Sequence, residues 1–149
     1  MNNEWFECKV KYDKTMENGL QKKVTEPYLV DAINFTEAEK RMNEEMAPFI
    51  RGEFQVDDIK RIKIAELFES SKEEDDKWFK CKLSFIVIDE KSGKEKKAIN
   101  LVLVKAINIK TALQHLEEGM KTTQIDYDVT SIIETPIMDV FHYKEPDKA

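Results

Sequence analysis

A pattern of about 70 residues occurs twice in this chain, and it restricts the possible folds more than any single motif does. Trp5-Phe6-Glu7-Cys8-Lys9 recurs as Trp78-Phe79-Lys80-Cys81-Lys82. Gly19, Lys22 and Lys23 match Gly93, Lys96 and Lys97, and Leu29-Val30-Asp31-Ala32-Ile33-Asn34 matches Leu103-Val104-Lys105-Ala106-Ile107-Asn108. Further on, Ala38, Glu44 and Met46 match Ala112, Glu118 and Met120, while Val56, Ile59, Ile64 and Phe68 match Val129, Ile132, Ile137 and Phe141. Nineteen identities in the same order imply a duplication, with an offset of 73, then 74, then 73. The unit is too long for one turn of a solenoid, so two copies of a small supersecondary unit are expected. Glu69 to Lys77 has five acids, two bases and no apolar residue and reads as an exposed linker. The boundaries expected are 1–68 for the first repeat, 69–77 for the acidic linker, 78–143 for the second repeat and 144–149 for a polar tail.

Each copy reads β-β-α-β. In residues 5–12, Phe6, Cys8, Val10 and Tyr12 alternate with Trp5, Glu7, Lys9 and Lys11, the pattern of a half-buried strand. Phe79, Cys81, Leu83, Phe85 and Val87 repeat it. Asn18-Gly19 and Ser92-Gly93 mark hairpin turns, because glycine accepts positive φ. The second strands run from about Lys22 to Ala32 and from about Lys96 to Ala106. Helices follow, with apolar stripes Phe35, Ala38, Met42, Met46, Phe49 and Ile109, Ala112, Leu113, Leu116, Met120. Thr36 to Glu39 reads as a capping box, and Asn108 as the cap of the second helix. The last strands carry Ile62, Ile64, Phe68 and Ile133, Ile137, Phe141, with a bulge expected between Val56 and Ile59 and between Val129 and Ile132. A right-handed crossover places each third strand beside the first. The fold class is therefore α+β, a tandem duplication of a β-β-α-β unit with antiparallel sheets and one helix per repeat.

Composition bounds the function. Charged residues make up 36% of the 149, and 24 Lys and Arg against 30 Asp and Glu leave a net charge of −6. An acidic total disfavours non-specific binding to nucleic acid or anionic membranes. No apolar run approaches the ~20 residues of a membrane helix, and no secretory signal opens the chain. With two cysteines there is no disulfide framework, so a cytoplasmic, reduced protein is expected. The chain has no phosphate-binding glycine loop, no nucleophile elbow and no zinc-protease motif. His115 and His142 lack a second ligand at zinc spacing. Cys8 and Cys81 lie on apolar strand faces and read as buried thiols rather than nucleophiles. Asp57-Asp58 and Asp126 with Asp128 read as solvated turn acids rather than a cation site. No catalytic, cofactor or metal residue is identified, and the chain is not expected to be an enzyme.

Two surfaces remain. Trp5, Lys9 and Lys11 share one strand face, Trp78, Lys80 and Lys82 another, and Lys22, Lys23, Lys96 and Lys97 are repeated; aromatics interleaved with lysines can stack and neutralise a single-stranded nucleic acid. The alternative is tryptophan capping the sheet under lysine stems, which the net charge favours. The second surface is aliphatic. In a sheet covered by a helix on one side, the other face should be polar, yet copy two places Ile86, Ile88, Ile99, Leu101 and Leu103 there. Such a patch is expected to be covered, by the first repeat or by a second subunit.

The segments Trp5 to Val10, Lys22 to Ala32 and Phe35 to Glu39 resemble a bacterial domain-of-unknown-function family numbered 4494. The similarity spans almost the whole chain. It implies an origin in Bacteroides-type bacteria, their phages and mobile elements. It implies no activity, cofactor or site residue. The expected function is a non-catalytic cytoplasmic interaction module linked to such elements, acting on a protein partner or on itself. The second reading is a nucleic-acid-binding accessory protein; neither reading involves a membrane.

Overall fold

The computed structural model describes residues 3–142. The boundary residue at 143 and the tail at 144–149 lie outside the described residues. Strand β1 (Glu4–Thr15) turns at Gly19, whose φ is +81°, into β2 (Gln21–Ala32). Helix α1 (Phe35–Met46) and β3 (Phe54–Ile62) complete the first pass. A short strand β4 (Glu66–Phe68) leads to β5 (Lys77–Ile88), β6 (Glu95–Ala106), helix α2 (Ile109–Met120), β7 (Tyr127–Thr135) and β8 (Val140–Phe141). The α+β duplication expected from the repeat is thus present, with two sheets and one helix per repeat.

In each copy the first strand is flanked by the other two, both antiparallel to it, as a right-handed crossover requires. The breaks in alternation are bulges at matching points. Lys9 pairs with Asp58 and Val10 with Val56, while Lys82 pairs with Ser131 and Leu83 with Val129. The extra residue keeps Ile59 and Ile132 facing the helix with their apolar neighbours. Pro136 follows the end of β7, an edge strand, where a missing amide costs no ladder bond.

The helix caps correct one expectation. Asn34, not Thr36, caps α1, accepting a bond from the Glu37 amide at 2.8 Å, and Asn108 accepts from Thr111 at the same distance. The matched pair Asn34 and Asn108 therefore starts both helices. The buried stripes are Ala38, Met42, Met46 and Ala112, Leu116, Met120. Phe49 lies beyond the stripe and is exposed.

The largest departure from the repeat boundaries is at the ends. Among the described residues, those up to Lys63 and from Ile137 onward form one compact unit, and Ile64–Pro136 form the other. The chain leaves the first unit after Lys63, builds the second, and returns at Ile137. The tail of each repeat adds a fourth, parallel strand to the sheet of the other. Phe68 pairs with Val104 and Leu67 with Leu103; Phe141 pairs with Val30 and Val140 with Leu29. These pairs are equivalent under the repeat. So are the entry bonds, from the Ala65 amide to the Leu101 carbonyl and from the Met138 amide to the Pro27 carbonyl, both 2.8 Å. Phe68 packs on the core of Cys81, Leu83, Val102, Val104 and Leu116, and Phe141 on that of Phe6, Cys8, Val30 and Met42. In the first unit Phe141 stacks on Tyr28, with centroids 5.9 Å apart. In the second, Gly119 makes room for the Phe68 ring, since a Cβ there would lie 2.7 Å from it.

The segment between the repeats is mostly exposed, and one of its acids is buried. Asp75 is 2% exposed; the Ser70 hydroxyl donates to its carboxylate, and the Asp75 amide donates to the Lys72 carbonyl. These bonds anchor Asp75 within the acidic segment that joins β4 to β5.

Two outcomes test the exchange. Phe68→Ala should raise amide exchange in β5 and β6, and Phe141→Ala in β1 and β2, each by about 2 kcal/mol in opening free energy, although each change sits in the other repeat. Gly119→Ala should gain the ~0.5–1 kcal/mol of better helix propensity only in a Phe68→Ala background, where the ring no longer meets the new methyl. Urea midpoints of the two singles and the double check this.

Candidate interaction faces

The faces turned away from the helices differ between the units. In the first sheet, charges of opposite sign lie directly opposite each other. Glu7 faces Lys60, Lys9 faces Asp58, and Lys23 faces Asp13. Such cross-strand pairs satisfy a solvated face locally. Two large aliphatics lie there, Leu29, which is fully buried, and Ile62, which is half-buried.

In the second sheet the equivalents of those pairs are broken. Lys80 faces Ile133, Lys82 faces Ser131, and Lys97 faces Ile86. Leu103, opposite Leu67 of β4, is 3% exposed. Leu101 is half-buried. Ile86, Ile88 and Ile99 remain 48%, 69% and 52% exposed, and Ile133 joins them at 55%. The expected cover therefore reaches only one end of the aliphatic face. Ile133 was not singled out by sequence because its phase is set by the bulge at Thr130, which alternation alone does not place.

The tryptophan and lysine residues are not gathered into one strip. Trp78 is 2% exposed, with the Lys105 amine 5.8 Å from its ring centroid, so its faces are not open for base stacking. Its indole N–H has no acceptor among the described residues. Trp5 is half-buried and meets His142 edge-on at 5.1 Å. Lys22 lies opposite Lys14 and Lys96 opposite Val87, on the helix-side phase, whereas Lys23 and Lys97 lie on the outer phase. Lys96 pairs with Asp89 at 3.4 Å. Lys9 and Lys82 are exposed, and Lys11 is half-buried.

The inward chemistry is inert. Cys8 and Cys81 are free and fully buried. Burial, with smaller contributions from Glu7 and Asp58, pushes the Cys8 thiol up to about 12, and burial pushes Cys81 up to about 11. Neither forms a thiolate at neutral pH, so neither is a nucleophile. Glu26 accepts from the Tyr12 hydroxyl at 2.5 Å and from Tyr28 at 3.5 Å, and meets Lys14 at 3.7 Å. Burial followed by the Glu26 charge raises Tyr28 to about 12, and burial with the Glu26 hydrogen bond raises Tyr12 further. This cluster exists only in copy one; Phe85, Asn100 and Val102 replace it in copy two.

His115 sits where Arg41 sits in copy one. Arg41 donates to the Asp31 carbonyl and carboxylate, and His115 Nδ1 lies 2.9 Å from the equivalent Lys105 carbonyl. His115 Nε2 is 3.9 Å from the buried Asp75 carboxylate, so the ring ties the inter-repeat segment to α2. The Ser70 hydroxyl donates to Asp75 and not to the imidazole. Among the described residues no group of three His, Cys, Asp or Glu side chains could hold a metal ion.

A family model described as a domain of unknown function, DUF4494, matches residues 4–143. The chain belongs to the DUF4494 family. That match spans both repeats and the segment between them, so the duplication with exchanged tails falls within a single DUF4494 domain. No curated protein and no solved structure matches the chain. Among the described residues no helix is long and apolar enough to cross a membrane.

The buried thiols and phenols set an alkaline limit. Their folded-state pKa values lie above the unfolded ones, so their contribution is fully present below 9.0, the ordinary thiol value, and is lost as pH rises toward 11 and 12. The urea midpoint of this DUF4494 protein should therefore fall steadily above pH 9. Cys8→Ala with Cys81→Ala should lower the midpoint at neutral pH and flatten the alkaline decline; an equally steep decline would assign it elsewhere.

Proposed function

We propose that this DUF4494 protein is a non-catalytic interaction module that docks a protein partner on the outer face of its second sheet. The observation that carries this reading is the exposure of Ile86, Ile88, Ile99 and Ile133 on one sheet face, at positions whose counterparts in the first repeat are the polar Asp13, Thr15, Thr25 and Lys60. Monomers rarely leave a contiguous aliphatic patch in water, because covering each side chain is worth ~1.5–3 kcal/mol. Two buried, unlinked thiols support work in a reducing compartment such as the cytoplasm. The nucleic-acid reading has less support, since Trp78 is buried and the repeated lysines divide between the two sheet faces.

Ile99→Asp tests the proposal. The side chain is half exposed, so the variant should keep the melting temperature within about 1 kcal/mol of stability. The wild-type chain immobilised as bait should retain a host protein that the variant loses, or sediment as a dimer that the variant dissociates. Identical retention and sedimentation of the two would reject the face as a docking surface.

A further inference from the structure

The aliphatic residues form an oblique row. On the outer face Leu101 lies opposite Lys82, Ile99 opposite Ser84, Ile86 opposite Lys97 and Ile88 opposite Glu95. Each step along the sheet therefore carries one aliphatic, first on β6 and then on β5. Three steps of two residues make the row about 20 Å long. The row starts beside Leu103, which is already buried, and runs to the turn end of the β5–β6 hairpin. An α-helix repeats one face about every 6 Å, at i and i+4, so about 14 residues of helix span the row with four anchors.

The charges beside the row are unbalanced. Lys82 flanks it on β5 and Lys97 on β6, with Lys80 one step beyond Lys82. In copy one, the equivalent positions pair a charge with its opposite directly across the strands. Copy two keeps or gains the lysine and replaces each facing acid or partner with an apolar or hydroxyl residue: Asp13 by Ile86, Asp58 by Ser131, Lys60 by Ile133. Asp128 and Glu95 are the acids on this face, and they lie opposite Ser84 and Ile88 rather than any lysine. The face is cationic on a chain whose total charge is −6.

We infer that the occupant is an acidic amphipathic helix of a partner protein, its apolar stripe on Leu101, Ile99, Ile86 and Ile88 and its carboxylates meeting Lys80, Lys82 and Lys97. This rests on the outer face being a docking surface, and it specifies what docks there. The aliphatic row supplies the burial, and the lysines select sign and register, since flanking charges set specificity and on-rate more than affinity.

The probe is a fluorescent synthetic helix of about 14 residues with Leu at i, i+4, i+7 and i+11 and Glu on its flanks, compared with the same helix carrying Lys. Anisotropy titrations use the full chain. The acidic helix should bind at least about tenfold tighter than the basic one, and added salt should weaken it. Ile99→Asp should abolish binding, and Lys80→Glu with Lys82→Glu should reverse the preference. If the basic helix binds the wild type as well or better, and Ile99→Asp still abolishes binding, the docking face stands and the acidic partner is wrong. If neither helix binds, or Ile99→Asp changes nothing, both are wrong. A wild-type dimer that Ile99→Asp dissociates, and that excludes the peptide, makes a second copy the occupant and overturns the acidic helix.

Discussion

Reciprocal pairing of the tail strands is the interaction on which the rest depends. Three strands and one helix leave the open edge of β2 or β6 and one side of the core uncovered. The tail of the other repeat closes both at once, its backbone pairing along the edge and its phenylalanine packing on the core. Burying an aromatic ring and blocking an exposed strand edge address two liabilities of a small α+β unit in one step. Neither unit is made of one repeat alone, so the duplicated chain behaves as one domain in sequence and two compact bodies in space.

That arrangement separates constraint from freedom. The helix-side faces keep matching residues where the core is tightest, because Cys8 and Cys81, Val30 and Val104, or Met46 and Met120 meet equivalent neighbours in each copy, while Tyr12, Glu26 and Tyr28 give way to Phe85, Asn100 and Val102. The outer faces carry no such requirement away from the tail strands. Copy one sets Glu7, Lys9 and Lys23 opposite charges of the other sign, and copy two carries isoleucines beside lysines with no acid opposite. The proposed docking surface rests on this divergence between the copies and not on their identities. The identical residues mostly report the core and the caps.

The groups with chemical potential are engaged in structure. The thiols are held neutral by burial, Glu26 satisfies two phenols, and His115 bridges a strand carbonyl and the buried Asp75. Arg41 and His115 do the same task with different side chains, each bonding the carbonyl one residue before the final alanine of β2 or β6.

Alternation, helical spacing and turn glycines determine the β-β-α-β order in each copy, the inward faces of the first strands, the neighbourhood of both bulges and the unusual aliphatic face, because each depends on neighbours close in sequence; they do not show that each last strand breaks in two, at Ile62 and at Thr135. The first cap was misplaced by two residues, since Thr36 and Asn34 both accept amide bonds and only backbone φ and ψ decide which does. Burial of Asp75 was illegible, because it comes from Ser70 and His115, the latter forty residues away. Destination of the tails was illegible for a deeper reason. Ile64 to Phe68 and Ile137 to Phe141 fit either open edge equally well by pattern, since the edges are themselves copies. Only the tertiary structure decides which edge each tail joins, because the choice depends on where the chain can reach after its third strand, and not on any property of the residues that pair.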